Sequence, residues 1–148
     1  MSDYNEELSE LHQFVVSEGL GLPATIDEDG WIQFTHPGLG DVETVLREYN
    51  PEYMMVQCRF FSDDGRQKDD LIRVCNRVNN GEFAKLWVSD AGAVRVGVGL
   101  FVAAPETPMT IKGKLLPDED LLRGVYLLAM SAMLRAVKEF TAELEKVE

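Results

Sequence analysis

The chain has 148 residues, 45% hydrophobic and 27% charged, with 14 Lys and Arg against 26 Asp and Glu for a net charge of -12. Residues 1–148 are therefore expected to fill one core as a single globular domain, with too little chain for two. The negative field repels phosphate backbones and anionic lipid, so nucleic acid and membrane surfaces are not expected as partners.

The opening MSDYNEELSEL is acidic and polar, unlike a signal or transit peptide, and no apolar run reaches membrane-spanning length. The expected location is the cytoplasm. Residues 3–18 predict a helix with Leu8, Leu11, Val15 and Val16 on a narrow apolar stripe and Glu6, Glu7, Glu10 and Glu18 on the wet face. Gly19, Gly21 and Pro23 end it. So thin a stripe places this helix at an edge of the domain, with His12 at the surface.

Strands at 24–26 and 31–36 flank Asp27-Glu28-Asp29-Gly30, whose Asp-Gly pair favours a hairpin turn. The run lacks the further ligands and the closing Glu of a calcium loop. After a loop at Pro37, Gly38 and Gly40, residues 42–47 read as a strand or a short helix, since Val42, Val45 and Leu46 also fit helical spacing. Asn50-Pro51 turns the chain into a strand at 53–61. There Met54, Val56, Cys58 and Phe60 form the buried set, alternating with Tyr53, Met55, Gln57, Arg59 and Phe61.

Ser62-Asp63-Asp64-Gly65 offers N-cap candidates for a helix at 71–80, LIRVCNRVNN. Its Leu71, Val74, Cys75 and Val78 recur at i, i+3, i+4, i+7 and need a sheet made from the neighbouring strands to cover them. Gly81 suits a left-handed helix end. Strands at 83–90 and 93–104 follow, joined at Ala91-Gly92. In the second, Val94, Val96, Val98, Leu100 and Val102 share one face, and Arg95, Gly97, Gly99, Phe101 and Ala103 the other. Gly97 and Gly99 lie within a strand, outside the context of a dinucleotide motif, and instead admit a close neighbour from this chain or an incoming peptide.

Residues 105–117 carry three prolines and form a connection with a short extended piece at 109–112. Residues 118–147 predict a helix about 45 Å long, started by Asp118-Glu119-Asp120. Leu122, Tyr126, Ala129, Met133, Val137, Phe140, Leu144 and Val147 form its main stripe. Leu121, Val125, Leu128 and Ala132 form a second stripe on its first half, which leaves a face in need of a partner. Met130 and Met133 read as core, or as adaptable contacts at a binding surface.

No catalytic residue, metal site or cofactor is expected. Neither His12 nor His36 has a second ligand at metal spacing, and no hydrolase, zinc or phosphate-loop motif is present. Cys58 and Cys75 read as a free buried pair, although a disulfide is arithmetically possible. Asn76, Asn79 and Asn80, with Arg73 and Arg77, read as helix capping and solvation.

The order helix, three or four strands, helix, two strands, long helix resembles the YbjN-like family of bacterial proteins and the related type III secretion chaperone-like fold. The residues that carry the resemblance are LIRVCNRVNN with Asn76 and Asn79, the hairpin FAKLWVSDAGAVRVGVGLFV and the closing AVKEFTAELEKVE, in a match that runs from about Leu8. It implies an α+β domain, α-β-β-β(-β)-α-β-β-α, with helices packed on a twisted antiparallel sheet, a homodimer as the usual state and no known catalysis. Secretion chaperones are small and acidic and hold extended client segments on apolar patches; YbjN-like proteins are described as sensory-transduction regulators. The connection at 105–117 is longer than that family usually has.

The leading expectation is a non-enzymatic, chaperone- or adaptor-like protein-binding module, a homodimer that binds an apolar segment of an unidentified client. Leu121, Val125, Leu128 and Ala132 are its candidate interface, with Gly97, Gly99 and Phe101 as an alternative patch. The competing expectation is a small-molecule sensor or enzyme whose pocket lies between the sheet and the central helix, lined by Tyr53, Arg59 and Asn76.

Overall fold

The computed structural model describes residues 3–47, 50–61, 67–102 and 116–147. Strands β1 (Ala24–Ile26), β2 (Ile32–His36), β3 (Gly40–Arg47), β4 (Asn50–Phe61), β5 (Lys85–Val88) and β6 (Val94–Phe101) form one antiparallel sheet in the order β1-β2-β3-β4-β6-β5. Helices α1 (Asp3–Phe14), α2 (Lys68–Asn79) and α3 (Glu119–Glu145) cover one face of it, and a π-helical turn at Val15–Gly19 ends α1. This is the expected α+β arrangement with the fourth strand present.

Alternation built the sheet. Met54, Val56 and Cys58 of β4 lie opposite Leu100, Val98 and Val96 of β6 on one side and Leu46, Thr44 and Val42 of β3 on the other. These rows face the helices, so β3 is a strand and the helical alternative for its residues is excluded. Near its end β4 carries a bulge between Arg59 and Phe61. There Phe60 and Phe61 both pack on Phe140 of α3, with ring centroids 5.2 and 5.6 Å away. Asp27 N–H bonds Trp31 O and Gly30, at φ +81°, closes the β1–β2 turn, while Asp27 Oδ1 accepts from Asp29 and Trp31 N–H.

In α2 the buried residues are Leu71, Val74, Cys75 and Val78, as the stripe requires. Its N-cap position is Gln67, without a side-chain cap bond; residues 62–66 lie outside the described residues, as do 109–112 of the proline-rich connection. Gly81 does not adopt positive φ, because α2 closes through Asn80 and a Gly81 N–H bond to Val78 O. In α3, Asp118 caps the Leu121 N–H, and Leu122, Tyr126, Ala129, Met133, Phe140 and Leu144 are buried with Met130.

His12 is not at the surface. It is 2% exposed, and Asn5 and Ser9 are buried beside Leu8 on the inner face of α1. Ser9 Oγ donates to Gly30 O at 2.8 Å, and His12 Nδ1 lies 2.6 Å from the Tyr126 hydroxyl, which donates to Thr44 Oγ1 at 3.0 Å. A polar inner face is stable there because each group finds a partner.

Both outer strands have backbone groups engaged by side chains. Ser17 Oγ accepts from Ala24 N–H (3.0 Å) and Gln13 Nε2 donates to Ala24 O (2.9 Å) on β1. On β5, Asn79 Oδ1 accepts from Leu86 N–H (2.7 Å) while its Nδ2 donates to Leu86 O (2.9 Å). Asn79 thus does the work of an adjacent strand at the rim of the sheet.

Candidate functional site

Among the described residues no helix lies over the face of the sheet away from α1, α2 and α3. Strand alternation places Glu43, Val45, Tyr53, Met55, Gln57, Arg59, Arg95, Gly97, Gly99, Phe101, Lys85 and Trp87 on this open face. Tyr53 lies opposite Phe101, Met55 opposite Val45 and Gly99, and Gln57 opposite Glu43 and Gly97. A shallow depression of about 700 Å³ runs over Trp31, Val45, Arg47, Tyr53, Met55 and Gln57.

The two glycines accommodate the protein's own side chains. A Cβ at Gly99 would fall on the Tyr53 hydroxyl, and one at Gly97 would lie 2.8 Å from Met55 Cε and 3.0 Å from Trp87 Cη2. The room left by the missing side chains therefore lets Tyr53, Met55 and Trp87 lie down across β6. Phe101, 71% exposed, stacks beside Tyr53 at a centroid distance of 5.1 Å.

A polar strip crosses the same face. Glu43 accepts from Gln57 Nε2 (2.8 Å) and Arg95 (3.2 Å) through one oxygen, and from Gln33 Nε2 (3.4 Å) through the other. Arg59 sits directly opposite Arg95, and the two cations line a smaller depression with Asp41 and Glu43. Asp41 accepts from Thr35 Oγ1 at 3.0 Å.

The expected second stripe of α3 divides. Ala132 is buried and Val125 packs partly against the core, whereas Leu121 and Leu128 remain 50% and 55% exposed. Periodicity put the four on one side of the helix, but the first half of α3 is covered only up to Val125. The expected small-molecule pocket does not assemble. Tyr53 and Arg59 share the open face of β4, α2 covers the opposite face, and Asn76 is exposed on α2.

Cys58 and Cys75 are free and buried, and burial pushes both thiols up to about 11. Burial holds His12 down at about 3 and raises the Tyr126 hydroxyl well above its usual range, so this trio is a neutral core network. Among the described residues no group of three or more His, Cys, Asp or Glu could hold a metal ion, and no helix is long and apolar enough to cross a membrane.

No family model and no curated protein sequence matches the chain. Two solved structures do match in shape. A chain of the HopA1-SchA chaperone-effector complex aligns with a TM-score of 0.62 at 10% identity, over 95% of this chain and 98% of that one. A chain of the ExsC-ExsE complex aligns with a TM-score of 0.59 at 14% identity, over 90% of each. The chain has a type III secretion chaperone-like fold. At such low identity the likeness extends to the path of the backbone across nearly the whole length, and the surface chemistry of this chain is its own.

Proposed function

We propose that this protein is a non-enzymatic, chaperone- or adaptor-like protein-binding module that acts in the cytoplasm as a homodimer and holds an apolar segment of a client protein. The observation that carries the reading is the half-exposed Leu121 and Leu128 on a helix whose other face is buried against the core, in a fold shared with a chain of a chaperone-effector complex. Leu121, Val125 and Leu128 of α3 are the proposed dimer contact, with Ala132 as their buried backing. The open face with Gly97, Gly99 and Phe101 is left for the client. A YbjN-like kinship, which the sequence pattern supports, fits the same non-catalytic role.

Burial of apolar surface supplies roughly 25 cal/mol per Å² before ordering costs, so the leucines can anchor a dimer without making it tight. Light scattering at micromolar concentration tests the association. The wild-type chain should have twice its monomer mass, and Leu121→Asp with Leu128→Asp should halve it while leaving the far-ultraviolet circular dichroism unchanged. A wild-type monomer refutes the dimer. Affinity purification of the tagged chain from its host tests the client: no protein retained over a tag-only control refutes that part. The pocket reading finds no support, because Tyr53, Arg59 and Asn76 do not converge.

A further inference from the structure

We infer that the open face of the sheet receives an extended client segment lying along β4, with apolar side chains over Val45 and Met55 and one carboxylate at each end, on Arg47 and on Arg59. This rests on the protein-binding reading above and specifies its surface and chemistry.

The rim of the sheet is engaged on both sides. Ala24 of β1 and Leu86 of β5 have their N–H and C=O groups bound by side chains of this chain, so an added strand has to displace those bonds. The open face is different: Trp31, Val45, Tyr53 and Met55 are partly exposed along the depression.

Charge sets the ends of the segment. Although the chain carries -12 overall, Arg47, Arg59 and Arg95 sit on this face. Arg95 is paired with Glu43 at 3.2 Å. Arg47 and Arg59 are exposed, and among the described residues neither has an ion pair. Arg59 lies directly across from Arg95, whose charge Glu43 meets, so Arg59 is the cation of the two left for an incoming anion. A carboxylate on Arg59 forms a charge-assisted hydrogen bond there.

Spacing sets the length. Arg47 shares the depression with Tyr53, and Arg59 follows Tyr53 by six residues of β4, about 20 Å at 3.4 Å per residue. An extended segment with acids at positions i and i+6 spans that distance, and its i+2 and i+4 side chains point down onto Met55, Val45 and the Gly97 row. A second copy on this face is the competing occupant, and the mass measurement below separates it from a client. Polyphosphate chains such as nucleic acid meet the net negative field, whereas a segment with two acids and outward basic residues is neutral.

The probe is an end-blocked, fluorescein-labelled heptapeptide, Glu-Lys-Leu-Thr-Phe-Lys-Glu, titrated against the full chain by fluorescence anisotropy. Replacing both glutamates with glutamine should weaken binding about tenfold, and Arg47→Gln or Arg59→Gln about fivefold each. Ile72→Ser, on the exposed side of α2 and across the sheet from this face, should leave the affinity unchanged. The inference fails if the wild type does not bind at millimolar peptide, or if the glutamine peptide binds equally well. Loss of binding in Leu121→Asp but in neither arginine variant would move the client to α3, overturning this surface while leaving the protein-binding reading intact. A fall in mass on Phe101→Asp would make the open face an interface between copies and also overturn it. Failure of the underlying reading has a separate signature: a wild-type monomer that retains no protein from its host.

Discussion

Acid should destabilise this protein through His12. The imidazole is 2% exposed, its Nδ1 meets the neutral Tyr126–Thr44 chain, and among the described residues no carboxylate pairs with it. Burial lowers its pKa from 6.5 to about 3. Between those values the unfolded chain binds a proton that the folded chain does not. The stability contribution is therefore constant above pH 6.5 and is lost as pH falls below it, at about 1.4 kcal/mol per unit once the unfolded histidine is charged. From pH 7.5 to 5.0 this amounts to about 2 kcal/mol, whatever the exact folded pKa below 4. Urea unfolding followed by Trp31 and Trp87 fluorescence, at fixed protein concentration, measures it. His12→Gln retains a donor for Tyr126 but cannot titrate. It should be less stable than wild type at pH 7.5, and the gap should shrink by about 2 kcal/mol at pH 5.0, because carboxylate contributions are common to both and cancel. Parallel pH profiles for the two proteins would refute a buried neutral His12.

Asn79→Ala should cost about 1–3 kcal/mol in urea unfolding, since it strips partners from both backbone groups of Leu86; a change below about 0.5 kcal/mol would show that water replaces the amide freely. Gly97→Val should cost about 1–3 kcal/mol by forcing Met55 and Trp87 off β6, with a shift in tryptophan emission. Cys58 and Cys75 should react with a disulfide reagent at pH 8 at least about a hundredfold more slowly in the native protein than in urea, as burial raises both thiols. Fast native labelling would contradict that placement.

The elements legible in the sequence are those whose buried face is apolar and periodic. Leu71, Val74, Cys75 and Val78 fix α2 against the sheet, and Met54, Val56 and Cys58 fix the inner face of β4, because each pattern is local and one-sided. The inner face of α1 is half polar, so periodicity of apolar residues misses it. Asn5, Ser9 and His12 do recur at i, i+4 and i+7 beside Leu8, a helical stripe visible once polar residues are allowed into it. What makes them burial-competent is distant: the Gly30 carbonyl is 21 positions from Ser9, and Tyr126 is 114 from His12. For the pocket, strand parity already held the answer. Tyr53 and Arg59 alternate with the buried residues of β4, which sets them on the face that the central helix leaves bare. The role of Gly97 and Gly99 depended on register, since only the pairing with β4 and β5 brings Tyr53, Met55 and Trp87 above them. The Leu121 stripe was visible as surplus grease, but how far the core reaches around α3 is set by the width of the sheet.

A sheet whose two hems are stitched by Asn79 on one side and by Ser17 and Gln13 on the other cannot readily template further copies of itself sideways. For the proposed holder of an apolar client segment, fibre growth along a bare ladder would be the natural failure. Three polar side chains obstruct that route at Ala24 and Leu86 while leaving the broad face of the sheet available.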